Sequence, residues 1–109
     1  MRTYIEKLGK EYIEGRKESG KSPLRTGLDG RRLRSMSWQG NRLFSYQTHV
    51  ATLDRRGKVL YVTTKEYSQT TTRQMRDIER LASCNGFHIV PTEQVEAYAH
   101  ILEGLYHTY

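Results

Sequence analysis

The sequence predicts an α+β domain, a small and mainly antiparallel sheet of about four strands packed with about three helices. Three observations carry that expectation. Residues 42–53 and 58–64 place strand-forming side chains on either side of the turn signal Asp54-Arg55-Arg56-Gly57, which is hairpin chemistry. Residues 70–84 and 92–106 repeat apolar side chains at helical spacing beside recognisable caps. The chain has 109 residues, 36% of them hydrophobic, with mean hydropathy −0.79, so it can bury one modest core that all elements must share. The organisation expected is a single domain over 1–109: a helix in 1–19, a basic linker at 20–34 and an α+β core from 35 to 109.

The first helix is expected over 2–19, because Tyr4, Ile5, Leu8 and Tyr12 share one face. Gly9 and Gly15 each weaken it by about 1 kcal/mol relative to Ala, so packing must hold it. Gly20 and Pro23 end it. The linker that follows concentrates Arg25, Arg31, Arg32 and Arg34 among glycines. It reads either as a solvated loop or as an arm that orders on a phosphate backbone.

Strands are expected at 33–38 and 42–53, joined through Gln39-Gly40-Asn41, with Trp38 as a core anchor. At Asp54 to Lys58 a three-residue loop with Gly57 in the left-handed position is expected. It would pair Asp54 with Lys58, Thr52 with Leu60 and Val50 with Val62. Apolar residues on both faces make 58–64 a central strand covered on both sides. The next helix, about 70–84, takes Ser68 or Thr70 as N-cap and buries Met75, Ile78, Leu81 and Ala82. Gly86 stops it. Phe87 to Val90 forms a short strand ended by Pro91. Thr92 caps a last helix with the stripe Val95, Tyr98, Ala99, Leu102, Leu105 and Tyr106.

Composition narrows the function. The net charge of +6 is uneven: residues 1–34 carry +5, residues 35–64 carry +3 and residues 65–109 carry −2. A basic first half suits an anionic partner such as nucleic acid or a nucleoprotein. The single cysteine, Cys84, excludes an internal disulfide and fits a reducing compartment. No apolar run approaches a bilayer span and the N-terminus lacks an apolar leader, so cytoplasmic localisation is expected, with no membrane partner.

Catalytic and cofactor motifs are missing from the sequence. Gly15 to Ser22 matches the Walker A letters, but it follows an amphipathic helix and runs into Pro23 rather than linking a strand to a helix. His49, His88, His100 and His107 lack a zinc-type set of companions. Glu96, His100, Glu103 and His107 share one face of the last helix, which is expected to point to solvent. There is no nucleophile elbow and no cysteine beside a base. The expectation is a non-enzyme with no cofactor and no metal.

The binding residues expected lie elsewhere. Arg73, Arg76 and Arg80 form a ridge opposite the apolar stripe of helix 70–84, and Gln69 extends it. Ser68, Thr70, Thr71 and Thr72 place hydroxyls at the helix start, where free N–H groups can hold an anion. Arg31, Arg32, Arg34, Arg55 and Arg56 are the other candidates for phosphate or carboxylate contact.

Ser45-Tyr46-x-Thr48-x-x-Ala51, then Gly57 with Val59, then Tyr67-Ser68-x-Thr70-Thr71 resembles a pattern in small uncharacterised proteins of bacteriophages and related mobile elements. The resemblance covers about residues 42–78. It departs at Gln47, where such proteins often have Gly, and at Gln74, where they often have His. It implies a phage-type α+β protein without established enzymatic activity. Proteins of that class often bind and block host machinery, CRISPR effectors included. Three functions are therefore expected in order: docking on a host protein or nucleoprotein as an inhibitor of host defence (an anti-CRISPR, for example); direct binding of nucleic acid; and a small structural component that forms a homodimer through Leu105 to Tyr109.

Overall fold

The computed structural model describes residues 3–21, 24–26, 32–34, 36–65 and 69–105. In chain order they form α1 (Thr3–Glu14), β1 (Ser19–Lys21), β2 (Leu24–Thr26), β3 (Arg32–Arg34), β4 (Met36–Gln39), β5 (Arg42–Ser45), β6 (Thr48–Asp54), β7 (Val59–Thr63), α2 (Gln69–Cys84), β8 (His88–Thr92) and α3 (Val95–Leu105). This is α+β, with six strands in the main sheet rather than about four. Their order is β1-β4-β5-β6-β7-β8, all antiparallel except the β7–β8 pair, and β2 pairs with β3 in a separate two-stranded ladder.

Two departures from expectation lie near the N-terminus. The helix closes at Glu14 rather than 19, because Gly15 turns left-handed at φ 66° and donates its N–H to the Glu11 carbonyl. Part of the expected linker is strand: β1 pairs with β4, and β2 with β3. The Walker-like letters accordingly run from the end of a helix into an edge strand, not into a phosphate loop.

The sheet separates two layers of helix. On one face, Leu43, Ala51, Leu53, Leu60 and Val62 join Met36 and Trp38 beneath Ile5, Leu8, Tyr12 and Ile13 of α1 and Met75, Ile78 and Ala82 of α2. On the other face, the cross-strand row Arg42–Thr52–Tyr61 meets α3. Trp38 is 1% exposed, the core anchor expected of it. The helices α1 and α2 approach closely at Gly9, where a Cβ would come within 2.9 Å of both Ile78 Cδ1 and Leu81 Cδ1. A glycine that costs helix propensity thus permits a helix–helix contact.

The central hairpin has a different register from the one expected. Asp54 pairs with Val59, Leu53 with Leu60, Thr52 with Tyr61 and Ala51 with Val62, around a four-residue loop. The positive φ falls on Lys58, at 59°, and not on Gly57. Gly57 serves a different purpose: its N–H donates to Asp54 Oδ1 at 2.9 Å, and a Cβ there would lie 2.4 Å from Asp54 Oδ2. The observed register gathers Ala51, Leu53, Leu60 and Val62 on the core face, whereas the expected one scatters them over both. Coverage on both faces does hold for β7, since α3 packs on its second side. The strand expected over 42–53 is two: a hairpin turns at Tyr46-Gln47, with Tyr46 at φ 56°, and folds β5 back on β6.

β8 extends through Pro91 to Thr92 instead of ending before it. The His88 N–H donates to the Lys58 carbonyl and the Thr64 N–H to the Thr92 carbonyl, so backbone groups at alternate positions face β7. Pro91 occupies an outward-facing position on the sheet edge, where its missing N–H costs no ladder bond.

Candidate functional site

Helix α2 divides cleanly by face. Gln74, Met75, Ile78 and Ala82 are buried, while Thr72, Arg73, Arg76 and Arg80 are exposed. The apolar stripe pins the helix to the sheet, and 100° of rotation per residue carries the three arginines to the far side. Among the described residues no ion pair engages Arg73 or Arg80. The ridge read from the sequence is therefore presented to solvent, and Thr72 stands beside it.

The other expected site residues do not gather there. Arg55 is half-buried at the C-terminal end of α1. Its Nε and Nη2 donate to the Tyr12 carbonyl at 3.1 and 2.7 Å, Nη2 also to the Gly40 carbonyl at 2.8 Å, and its guanidinium lies 5.7 Å from the Tyr12 and Trp38 ring centres. It ties the end of α1 to the β4–β5 turn. Arg56 is exposed in the β6–β7 loop. Arg32 and Arg34 lie in β3; Gln69, Thr70 and Thr71 supply backbone to the first turn of α2. Ser68 and Arg31 lie outside the described residues, as do Tyr106 to Tyr109 of the expected dimer segment.

One flank of α2 borders a cleft of about 340 Å³, lined by Val62, Thr63, Lys65, Thr72, Met75, Arg76 and Glu79. It opens beyond the carboxyl end of β7, where that strand feeds the α2 crossover to its parallel partner β8. Val62 and Met75 give it an apolar floor, being 8% and 6% exposed. Lys65 and Arg76 supply two cations, Thr63 and Thr72 two hydroxyls. Burial raises the Glu79 carboxyl above its ordinary value, and the nearby Arg76 partly opposes that.

The sheet face under α3 carries a polar constellation that sequence reasoning missed. Arg42 donates from Nε and Nη2 to the two carboxylate oxygens of Glu103 at 2.8 and 2.9 Å, and from Nη1 to Glu96 at 2.7 Å. His49 places Nδ1 2.7 Å from Glu96 Oε2 and Nε2 2.8 Å from the Ala51 carbonyl. Thr52 Oγ1 donates to the Val95 carbonyl at 2.7 Å. The Arg42 hydrogen bond, then His49, pulls Glu96 down to about 2; Arg42 also lowers Glu103. Glu96 and His100 are exposed, as expected of a solvated face, but Glu96 and Glu103 also reach the sheet to pair with Arg42, which was not expected. At 100° per residue both glutamates flank Val95 and Leu102 rather than oppose them, and that spacing was the available signal. Every strong acceptor here already has an internal donor, so the constellation fastens α3. Among the described residues no group of three or more His, Cys, Asp or Glu side chains could hold a metal ion.

The departure at Gln74 also acquires a structural meaning. Gln74 is fully buried, and the Ser45 hydroxyl donates to its Oε1 at 3.2 Å. Two positions of the resembling pattern therefore touch each other across the α2–β5 contact, well inside the core.

No described helix is long and apolar enough to cross a membrane. Searches of curated proteins and of solved structures return no match to this chain. The model of a family of unknown function, DUF8033, matches residues 10–95, which include the whole sheet and α2, and the chain belongs to that family.

Proposed function

We propose that this is a non-enzymatic, phage-type binding protein that docks through the outer face of α2 on an anionic surface of a host protein or nucleoprotein, and that it acts in the host cytoplasm as an inhibitor of a defence system. The observation that carries the reading is the solvent-facing ridge Arg73–Arg76–Arg80, held rigidly opposite the buried Met75, Ile78 and Ala82. Three guanidiniums on a packed helix start from fixed backbone positions for carboxylate or phosphate pairing, so the partner has only side chains to order, not backbone. The resemblance over residues 42–78 supports the phage context, and the lack of catalytic motifs in the sequence supports the non-enzymatic part.

The test compares the unsubstituted chain with an Arg73→Glu/Arg80→Glu variant in capture from bacterial lysate, with labelled duplex and single-stranded nucleic acid titrated in parallel at two salt concentrations. The reading expects a discrete protein partner retained by the first and lost by the second, and relief of phage restriction that depends on the same arginines. Tight nucleic-acid binding with a steep salt dependence and no protein partner would replace it with direct phosphate-backbone binding. Capture that is indifferent to both arginines removes α2 as the docking face.

A further inference from the structure

The cleft beside α2 combines features that a plain cationic ridge lacks. Its volume of about 340 Å³ is at the small end of ligand pockets. Its floor is apolar, Val62 and Met75, yet its walls carry Lys65 and Arg76 and the hydroxyls of Thr63 and Thr72. Arg76 is the one residue shared with the ridge. We propose that this cleft binds an organic carboxylate whose acid group is joined to a short apolar body, the carboxylate pairing with Arg76 and Lys65 and the apolar part resting on Val62 and Met75.

The geometry discriminates among anions. A planar guanidinium matches a carboxylate with two parallel hydrogen bonds, and a flexible ammonium completes the pairing from the side. A phosphodiester track offers charge without an apolar anchor, and it would bring a second and third negative group past Glu79, which lines the same cleft. A fully apolar ligand would leave both cations unpaired as it excluded water from them. A short body of about four or five carbons fits, together with its acid group, within the cleft's volume of about 340 Å³. The source is either an acidic side chain next to an apolar one on a partner protein or a free carboxylic acid. This rests on the reading of α2 as the binding face and narrows what that face receives.

The probes are 4-methylpentanoate, its neutral amide, inorganic phosphate and the peptide acetyl-Leu-Asp-Leu-amide, each titrated into the ¹⁵N-labelled full chain. Both carboxylate probes are expected to shift the amides of 62–65 and 72–79 with saturation. The neutral amide and phosphate should each bind at least roughly tenfold more weakly, the loss expected for a charged hydrogen-bonded contact or for the apolar body. Lys65→Gln and Arg76→Gln, both at exposed positions, should each weaken carboxylate binding roughly tenfold with well-dispersed spectra, while Lys10→Gln on α1 leaves it unchanged. A stronger response to the peptide assigns the source to a protein, and a stronger response to the free acid assigns it to a small molecule. The proposal is overturned if neither carboxylate shifts the cleft, if phosphate or the amide binds as well, or if neither substitution matters. Partner capture that needs Arg73 and Arg80, without carboxylate binding, removes the cleft and leaves the ridge. Carboxylate binding without such capture does the reverse.

Discussion

Arg55 and Arg73 show how differently two arginines of one basic chain are used. Both read from the sequence as free cations for an anionic partner. In the structure Arg73 is exposed on α2, whereas Arg55 spends its guanidinium on the carbonyls of Tyr12 and Gly40 and covers the Tyr12 and Trp38 rings. Charged hydrogen bonds to backbone carbonyls contribute roughly 1.5–3 kcal/mol each, and less once the lost side-chain entropy is counted. Arg55→Ala is therefore expected to destabilise the chain by about 2 kcal/mol and Arg73→Ala by less than about 0.5, measured as urea-unfolding midpoints. Equal effects would mean that the Arg55 contacts contribute nothing net. Gly20 makes a second residue-level case. A Cβ there would sit 2.3 Å from Nε1 of Trp38, and the ring is too deeply buried, at 1% exposure, to step aside. Gly20→Ala should cost about 1–3 kcal/mol through overpacking, read in the same experiment. Neither case was legible beforehand. The letters Arg-Arg and Ser-Gly-Lys carry no trace of the neighbour that folding brings against them.

Helix α3 is the element whose attachment depends most on charge. Its buried apolar residues are Val95, Ala99 and Leu102, and beyond them Ile101 and Leu105 are 56% and 63% exposed. The apolar seam is narrow, so the contacts of Arg42 with Glu96 and Glu103, of His49 with Glu96 and of Tyr61 with Tyr98 add to the docking. The tyrosine rings stack 4.0 Å apart, 8° from parallel. Both glutamates hold their protons less readily in the folded chain than in the unfolded one. The stabilisation they give is thus complete above the ordinary carboxylate value of 4.5 and is lost as pH falls through the folded value, about 2 for Glu96. Thermal melts should show the melting temperature dropping between about pH 4.5 and pH 2, with near-ultraviolet signal from the Tyr61–Tyr98 pair lost along with it. A Glu96→Gln/Glu103→Gln variant should start lower at pH 7 and change less over that window. An unchanged pH profile in the variant would show that these two carboxylates are not what titrates. The helix itself was legible from the spacing of Val95, Ala99 and Leu102, and α2 likewise from Met75, Ile78 and Ala82. What covers a helix flank was not, because a glutamate at the border of an apolar stripe can face water or an arginine from a strand more than fifty residues away.

The whole molecule is a meander closed by one crossover. Strands β4 to β7 follow one another through tight turns. The turns beside Gly40 and Gly57 were readable because hairpins are local, whereas the turn at Tyr46-Gln47, which has no glycine, proline or asparagine, left 42–53 reading as one strand. The places of the outer strands were not readable: β1 is three residues long, and β8 joins in parallel only after α2 has carried the chain across the core face. That crossover leaves β8 as an edge, and an open edge invites another strand. Three features bear on how it is protected. Bonds from His88 to Lys58 and from Thr64 to Thr92 turn the groups at those positions inward, so the outward-facing backbone belongs to Ile89 and Pro91. Pro91 deletes one of the two outward donors. The segment Ile89-Val90-Pro91-Thr92 otherwise holds β-favouring residues without charge, and Val90 is 36% exposed beside it. Proline at that point costs the native ladder nothing while it interrupts any ladder a newcomer would build. Pro91→Val should therefore leave the fold in place, as seen by an unchanged far-ultraviolet spectrum, yet make the weight-average mass in sedimentation equilibrium rise with concentration more steeply than for the unsubstituted chain. The same substitution combined with Val90→Lys, which puts a charge on the exposed face of the strand, should restore the original behaviour. If Pro91→Val associates no more than the unsubstituted chain, the edge is guarded by something other than its missing N–H.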